Sequence, residues 1–267
     1  MIVFAAFTPH TPLVFSSVGQ AQTKNVARTV LALDRLREDL CVARPDTVVV
    51  FSAHETRFQE AFCINVNDSY TTSLAEFGDH TTKRTFRPDL GFIDTLQRLS
   101  RRSETPLTLV SDAELGYASA IPLLSVIDRS LQPAIVPITY SGLDPKTHLA
   151  FGRHVQEICQ HSTKRIALIA SGDLSHALSD SAPAGLRPEG HTFDSTIQHA
   201  IASNTISPLL SLDPHIVERA AECGYRPLLM LLGAIEGRTH EAEILAYEAP
   251  YGVGYLTVHF HAHDTTV

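Results

Sequence analysis

Thr47-Val48-Val49-Val50-Phe51-Ser52, followed at once by Ala53-His54-Glu55, is an apolar run of strand length that ends in residues suited to metal or proton chemistry. A short continuous apolar run is the mark of a strand buried on both faces. Similar runs occupy Ile2 to Phe7, which is stopped by Pro9 and Pro12, Ala134 to Thr139, and Arg165 to Ser171. Amphipathic stretches lie between them. Val26, Val30, Leu33, Leu36 and Leu40 keep roughly helical spacing until Pro45 bars continuation, and Ile121 to Leu131, Lys146 to Cys159, Phe193 to Ile201, Ile216 to Cys223 and Leu228 to Ile235 are patterned alike. Alternation of this kind predicts an α/β fold: one domain over residues 1–267, with a central mixed, largely parallel sheet flanked by helices on both faces and built from right-handed βαβ units. Glu243 to Glu248 and Gly252 to Phe260, on either side of Ala249-Pro250-Tyr251, predict two closing strands. Thr71 to Pro88, largely polar with Gly78 and His80, is expected to be a long loop or lid, and His261 to Val267 a frayed end.

Composition narrows the function. Hydrophobic residues make up 44% and charged residues 19%, with mean hydropathy +0.03, so there is apolar material for a large core and no signature of disorder. Net charge is -8 with pI about 5.9, and no basic cluster exceeds a pair such as Arg101-Arg102, which argues against nucleic acid as a partner. Met1 to Phe15 lacks a basic leader and is too short to span a bilayer, so it reads as a first strand and no membrane segment is expected. Cys41, Cys63, Cys159 and Cys223 lie far apart with no CxxC pair, which fits reduced thiols and a cytoplasmic protein.

Four short segments carry residues of chemical interest: Thr8-Pro9-His10-Thr11-Pro12, Ser52-Ala53-His54-Glu55, Ser171-Gly172-Asp173-Leu174-Ser175-His176 and Glu222-Cys223-Gly224-Tyr225-Arg226-Pro227. Ligands gather at the carboxyl ends of parallel strands. His10, His54 and His176 each follow an apolar strand by a few residues, so one sheet edge can bring all three together. His176 is the candidate general base. Ser175 is disfavoured as a nucleophile because the second glycine of a GxSxG elbow is missing. Cys223 or its neighbour Glu222 is the candidate third ligand. Two histidines with a carboxylate suit non-haem Fe(II), whereas a thiolate admits Zn or Cu(I). Gly252-Val253-Gly254 lacks a third glycine, so no dinucleotide fingerprint is present. Arg84, Arg87 and Arg187 are candidates for holding an acidic substrate.

Taken together, Pro9-His10-Thr11-Pro12, Ser52-Ala53-His54, Ser171 to His176, Glu222-Cys223-Gly224 and Tyr247-Glu248-Ala249-Pro250-Tyr251-Gly252-Val253-Gly254-Tyr255 resemble the class III extradiol dioxygenase superfamily over nearly the whole chain. Its members include the catalytic subunit of protocatechuate 4,5-dioxygenase and the Memo proteins. The microbial branch found beside AmmeMemoRadiSam-type partner domains is especially similar. The resemblance implies His10 and His54 as metal ligands with Cys223 or Glu222 as the third, Fe(II) as cofactor with Zn or Cu as alternatives, and His176 as the acid/base that deprotonates a catecholic or aminophenolic hydroxyl. Asp173 and Ser175, beside His176, are assigned to substrate binding. Dioxygen is the implied co-substrate, and relatives imply a homodimer or a partner subunit. One departure concerns the family's L-D-H-G stretch: here it is Leu115-Gly116-Tyr117-Ala118, so Tyr117 stands where a catalytic histidine is expected and brings a phenol that stays uncharged near neutral pH. Two other readings remain: a Memo-like protein that binds a metal or small molecule without cleaving rings, and a zinc-dependent hydrolase.

Overall fold

The computed structural model describes residues 1–238 and 240–262. Ten strands and a set of helices alternate along the chain in the order β1 (Ile2–Thr8), α1 (Ser16–Gly19), α2 (Ala27–Ala43), β2 (Thr47–Ser52), β3 (Phe62–Asn65), β4 (Tyr70–Leu74), β5 (Asp79–Pro88), α3 (Leu90–Arg102), β6 (Leu107–Val110), α4 (Tyr117–Val126), β7 (Ala134–Thr139), α5 (Pro145–His161), β8 (Ile166–Ser171), α6 (Pro188–Ala202), α7 (Ser207–Leu210), α8 (Pro214–Ala220), α9 (Tyr225–Ile235), β9 (His240–Glu248) and β10 (Tyr255–Ala262). The strands form one mixed sheet in the order β4-β5-β7-β2-β8-β1-β10-β9, with β3 and β6 as a side branch from β7.

The centre of that sheet is parallel. Val49 of β2 lies opposite Val136 of β7 on one side and Leu168 of β8 on the other, and Ala6 of β1 lies opposite Ile169. Every residue of β2 and β8 is buried, as the apolar runs predict, and alternate side chains feed two cores. Val49, Phe51, Leu168 and Ala170 pack with α3, α5, α6 and α9, whereas Val48, Val50, Ala167 and Ile169 meet α2 and α4. Antiparallel β10 and β9 close one side of the sheet, as the tail predicts.

The structure corrects several expectations. Thr71 to Pro88 is no lid: it holds the antiparallel pair β4 and β5, with a short turn at Ala75–Phe77. Its polarity follows from its position, because β5 lies toward the edge of the sheet and buries only Asp79, Phe86 and part of its remaining face. The expected Ile121–Leu131 helix begins earlier, at Tyr117, and stops at Val126. Helix α3 and the four-residue strands β3 and β6 had no counterpart in the sequence reading. His261 and Ala262 belong to β10, and the rest of the expected frayed end lies outside the described residues.

Candidate metal centre

Strand ends bring the site together. His10 follows β1, His54 follows β2, Asp173 and His176 follow β8, Tyr117 opens α4, and Cys223 lies in the turn between α8 and α9. Glycine makes the last of these approaches feasible. A Cβ on Gly172 would lie 2.2 Å from Gly224 Cα, and one on Gly224 would lie 3.0 Å from the Asp173 carbonyl oxygen. The two turns therefore meet backbone to backbone, and the Gly224 amide donates to the Asp173 carbonyl at 2.9 Å. Cys223 Sγ is thereby held against the Asp173 amide, which donates to it at 3.3 Å.

The ligand atoms of His10, His54 and Cys223 all lie within 4.8 Å of one another, and Cys223 Sγ is 3.4 Å from His10 Nε2. Two donors bound to one tetrahedral ion at about 2.0–2.3 Å stand about 3.5 Å apart, so this spacing suits a shared metal. His10 is buried, its Nδ1 lies 3.3 Å from Ser171 Oγ, and its amide donates to Asp173 Oδ1 at 3.1 Å. Burial, and then the neighbouring His176, push the His10 imidazole down to about 3; burial also lowers His54. Both rings are therefore neutral near pH 7, the form that ligates metal. His54 adopts φ +54°, a left-handed conformation that a non-glycine residue takes only when its surroundings impose it. Burial raises the Cys223 thiol well above its ordinary value, so a cation would have to displace its proton.

Glu222, the alternative third ligand, is not brought to this cluster. Its carboxylate accepts the Tyr225 amide at 2.6 Å and lies 3.9 Å from Arg226, capping the start of α9, and burial raises it to about 7. Consecutive residues in the turn point apart, and the thiol is the one that faces His10.

Asp173 links the remaining groups. Its Oδ2 is 3.6 Å from His10 Nε2 and 4.0 Å from His176 Nε2, and burial drives its carboxyl up to about 6 against the pull of His176, the His10 amide and His54. His176 is half-buried, and its Nδ1 has no hydrogen-bond partner among the described residues. Tyr117 covers the two imidazoles: its ring stacks on His54 at 5.3 Å and 20°, and stands edge-on to His10 at 5.3 Å. Burial raises its phenol to about 12, so it remains a hydrogen-bond donor at neutral pH.

Ser175, expected to touch substrate, is turned inward. Its fully buried Oγ donates to the Ala220 carbonyl at 3.0 Å and accepts the Ala177 amide at 3.0 Å, which shapes the turn before His176. Tyr247 to Tyr255 is likewise a brace: the Gly254 carbonyl accepts the Leu174 amide, its amide donates to the Ser175 carbonyl, and Tyr247 Oη donates to Asp194 Oδ2 at 2.7 Å. The three candidate arginines serve structure as well. Arg84 donates to the carbonyls of Ile127, Asp128 and Leu131, Arg87 belongs to β5, and Arg187 donates to the Arg219 carbonyl. Sequence reasoning did not single out Arg57, whose charge reaches His54, or Arg226, which pairs with Glu222; the two lie 5.3 and 5.7 Å from the Tyr140 ring. Each follows a candidate ligand by three residues, which is the signal that would have found them.

Strand-end residues thus gather two neutral imidazoles and a thiol into a group that could hold one metal ion, at the edge of an α/β sheet. The chain belongs to the family of the catalytic LigB subunit of aromatic ring-opening dioxygenase, whose model matches residues 4–258. It is similar to Protein CA_C1420 of Clostridium acetobutylicum, with 27% identity over 256 residues, and spans 92% of itself but only 55% of that relative's length. Among solved structures it resembles uncharacterized protein JW3007 of Escherichia coli K12, with a TM-score of 0.64 and 19% identity over 96% of this chain and 99% of the other, a likeness of fold. Among the described residues, no helix is long and apolar enough to cross a membrane.

Proposed function

We propose that this protein is an extradiol-type dioxygenase that opens the ring of a small catecholic or aminophenolic molecule, with Fe(II) held by His10, His54 and Cys223. The observation that carries this reading is the convergence of those three donors within 4.8 Å beside the half-buried base His176. The donor set fits a divalent metal: two imidazoles already neutral and one thiol that becomes an anionic ligand on binding. When bound, the metal supplies redox chemistry toward dioxygen and a Lewis acid for the substrate's vicinal heteroatoms.

The chain's own groups do the rest. The imidazole of His176, whose Nε2 lies 4.0 Å from Asp173 Oδ2 on the side of the ligands, accepts the proton of a substrate hydroxyl and later returns it. Asp173 holds His10 and His176 in register through one carboxylate. Tyr117 lies against one face of the His54 ring and offers its phenolic hydrogen to the bound molecule. Its edge contact with Phe77, at 5.8 Å, fixes that ring from the β4–β5 turn.

Elemental analysis of protein purified without oxygen or chelator, beside His10→Ala, tests the metal. About one iron per chain, lost in the variant, is expected. His176→Ala should keep the iron and lose at least about 100-fold in turnover of catechols; equal turnover would remove the assigned role. One observation favours a second reading: a cysteine donor suits zinc or copper(I), so a hydrolase, or a Memo-like binding protein without ring cleavage, follows if zinc or copper co-purifies and resists exchange for iron.

A further inference from the structure

Glu55 is the side chain next to the ligand His54, yet it runs the other way. Its Oε2 accepts the Gly116 amide at 2.9 Å, at the residue that caps α4, and the first-turn Ser119 faces the same carboxylate. Helix α4 has no side-chain cap of its own from Gly116, so Glu55 reaches across the chain to supply one. An anionic group at the amino end of a helix is also favoured by the helix dipole. The fit is reciprocal. Gly116 has φ -63° and ψ 164°, values any residue adopts, so glycine is not needed there for its backbone freedom. It is needed for space: a Cβ at this position would lie 2.9 Å from Glu55 Oε2, 3.2 Å from Cδ and 3.3 Å from Oε1.

Both partners adjoin the centre. His54 precedes Glu55 and holds a left-handed φ of +54°, a conformation the residues around it must maintain. Tyr117 follows Gly116, and its ring stacks on the His54 ring. The same turn is tied to the same segment a second time, by Thr56 Oγ1 donating to Asp112 Oδ2 at 3.3 Å.

We propose that Glu55 is a positioning residue: through the Gly116 amide it locks the turn bearing His54 onto the first turn of α4, so that the imidazole and the Tyr117 phenol are set as one unit, and Gly116 is present to admit its carboxylate. This deepens the reading of the metal centre and rests on it for the affinity effect, while the lock itself exists without metal.

The test uses full-length protein with Co(II) as the probe, its affinity measured by chelator competition, and amide hydrogen exchange at Gly116 in the metal-free form. Glu55→Ala should weaken Co(II) binding by about tenfold or more, the usual effect of removing a group that orients a ligand, and should speed exchange at Gly116. Glu55→Gln keeps an acceptor and should preserve both. Gly116→Ala should reproduce the Glu55→Ala loss, and the double variant should be no worse than either single one, since all three break one contact. Wild-type affinity and exchange in Glu55→Ala, additive losses in the double variant, or a Glu55→Gln protein that folds but binds as poorly as Glu55→Ala would each overturn the proposal. Absence of Co(II) binding in the unaltered protein would instead overturn the metal centre, and exchange at Gly116 would still decide whether the lock exists.

Discussion

Protonation at single residues would set how the proposed centre takes up metal. His10, held down to about 3, and His54, lowered by burial, have no proton to give up at neutral pH, whereas the Cys223 thiol, raised well above its ordinary value, does. The folded thiol keeps its proton below its raised pKa, so the apparent affinity should climb as pH rises: about tenfold per unit between about pH 7.5 and 8.5, with about one proton released per ion. Metal titrations in buffers of different ionisation enthalpy would check this, and release of two protons would contradict neutral imidazoles. Replacing Cys223 with Ser should flatten the slope and cost most of the affinity. The choice between Cys223 and Glu222 was not legible in the sequence, because the residues are adjacent and only the backbone angles of the turn decide which side chain faces His10.

At the scale of elements, the approach of two turns is the exposed point of the design. Gly172→Ala forces a Cβ to within 2.2 Å of Gly224, and the helix that follows Gly224 must shift to relieve it. Overpacking of this kind costs about 1–3 kcal/mol, so a fall in unfolding free energy of that order is expected, together with loss of metal. Thermal denaturation and metal content measure both. Helix α5 offers a pH test away from the centre. His148 is buried, its Nε2 accepts the Ser141 amide at 3.3 Å, and burial lowers it to about 4. Unfolding lets it take up a proton near its ordinary value, so its contribution is complete above about pH 6.5 and is lost as pH falls toward 4. His148→Leu should flatten the denaturation midpoint over that window; an unchanged profile would show that other histidines dominate. The buried central strands could be read because apolar runs need no periodicity to be seen. The β4–β5 pair could not, since a half-wet strand of threonines and charges reads as a loop, and α3 was hidden although Asp89 caps it and Arg101 and Arg102 end it.

For the whole molecule, stability rests on the two cores that share the central strands. Leu168 lies fully buried between β2 and β1. Leu168→Ala should cost about 2–5 kcal/mol, measured by chemical denaturation, and should loosen the centre because β8 carries Asp173 and His176 at its end. The alternation of strands and helices conveyed the architecture and the sheet edge where the histidines meet. What it did not convey were contacts between segments distant in sequence, such as Glu55 with Gly116. Such contacts have no local pattern, and they come from shape rather than from periodicity.

His10 and Cys223 are 213 residues apart in the chain and 3.4 Å apart in space. An ion shared between them would act as a clasp on the 213 residues that separate them, closing a loop whose entropy the unclasped chain would otherwise regain. During synthesis the clasp cannot fasten until the α8–α9 turn has left the ribosome. A metal held by all three donors would then be acquired only after that turn has emerged, and the parallel centre of the sheet would be complete before the third donor arrives.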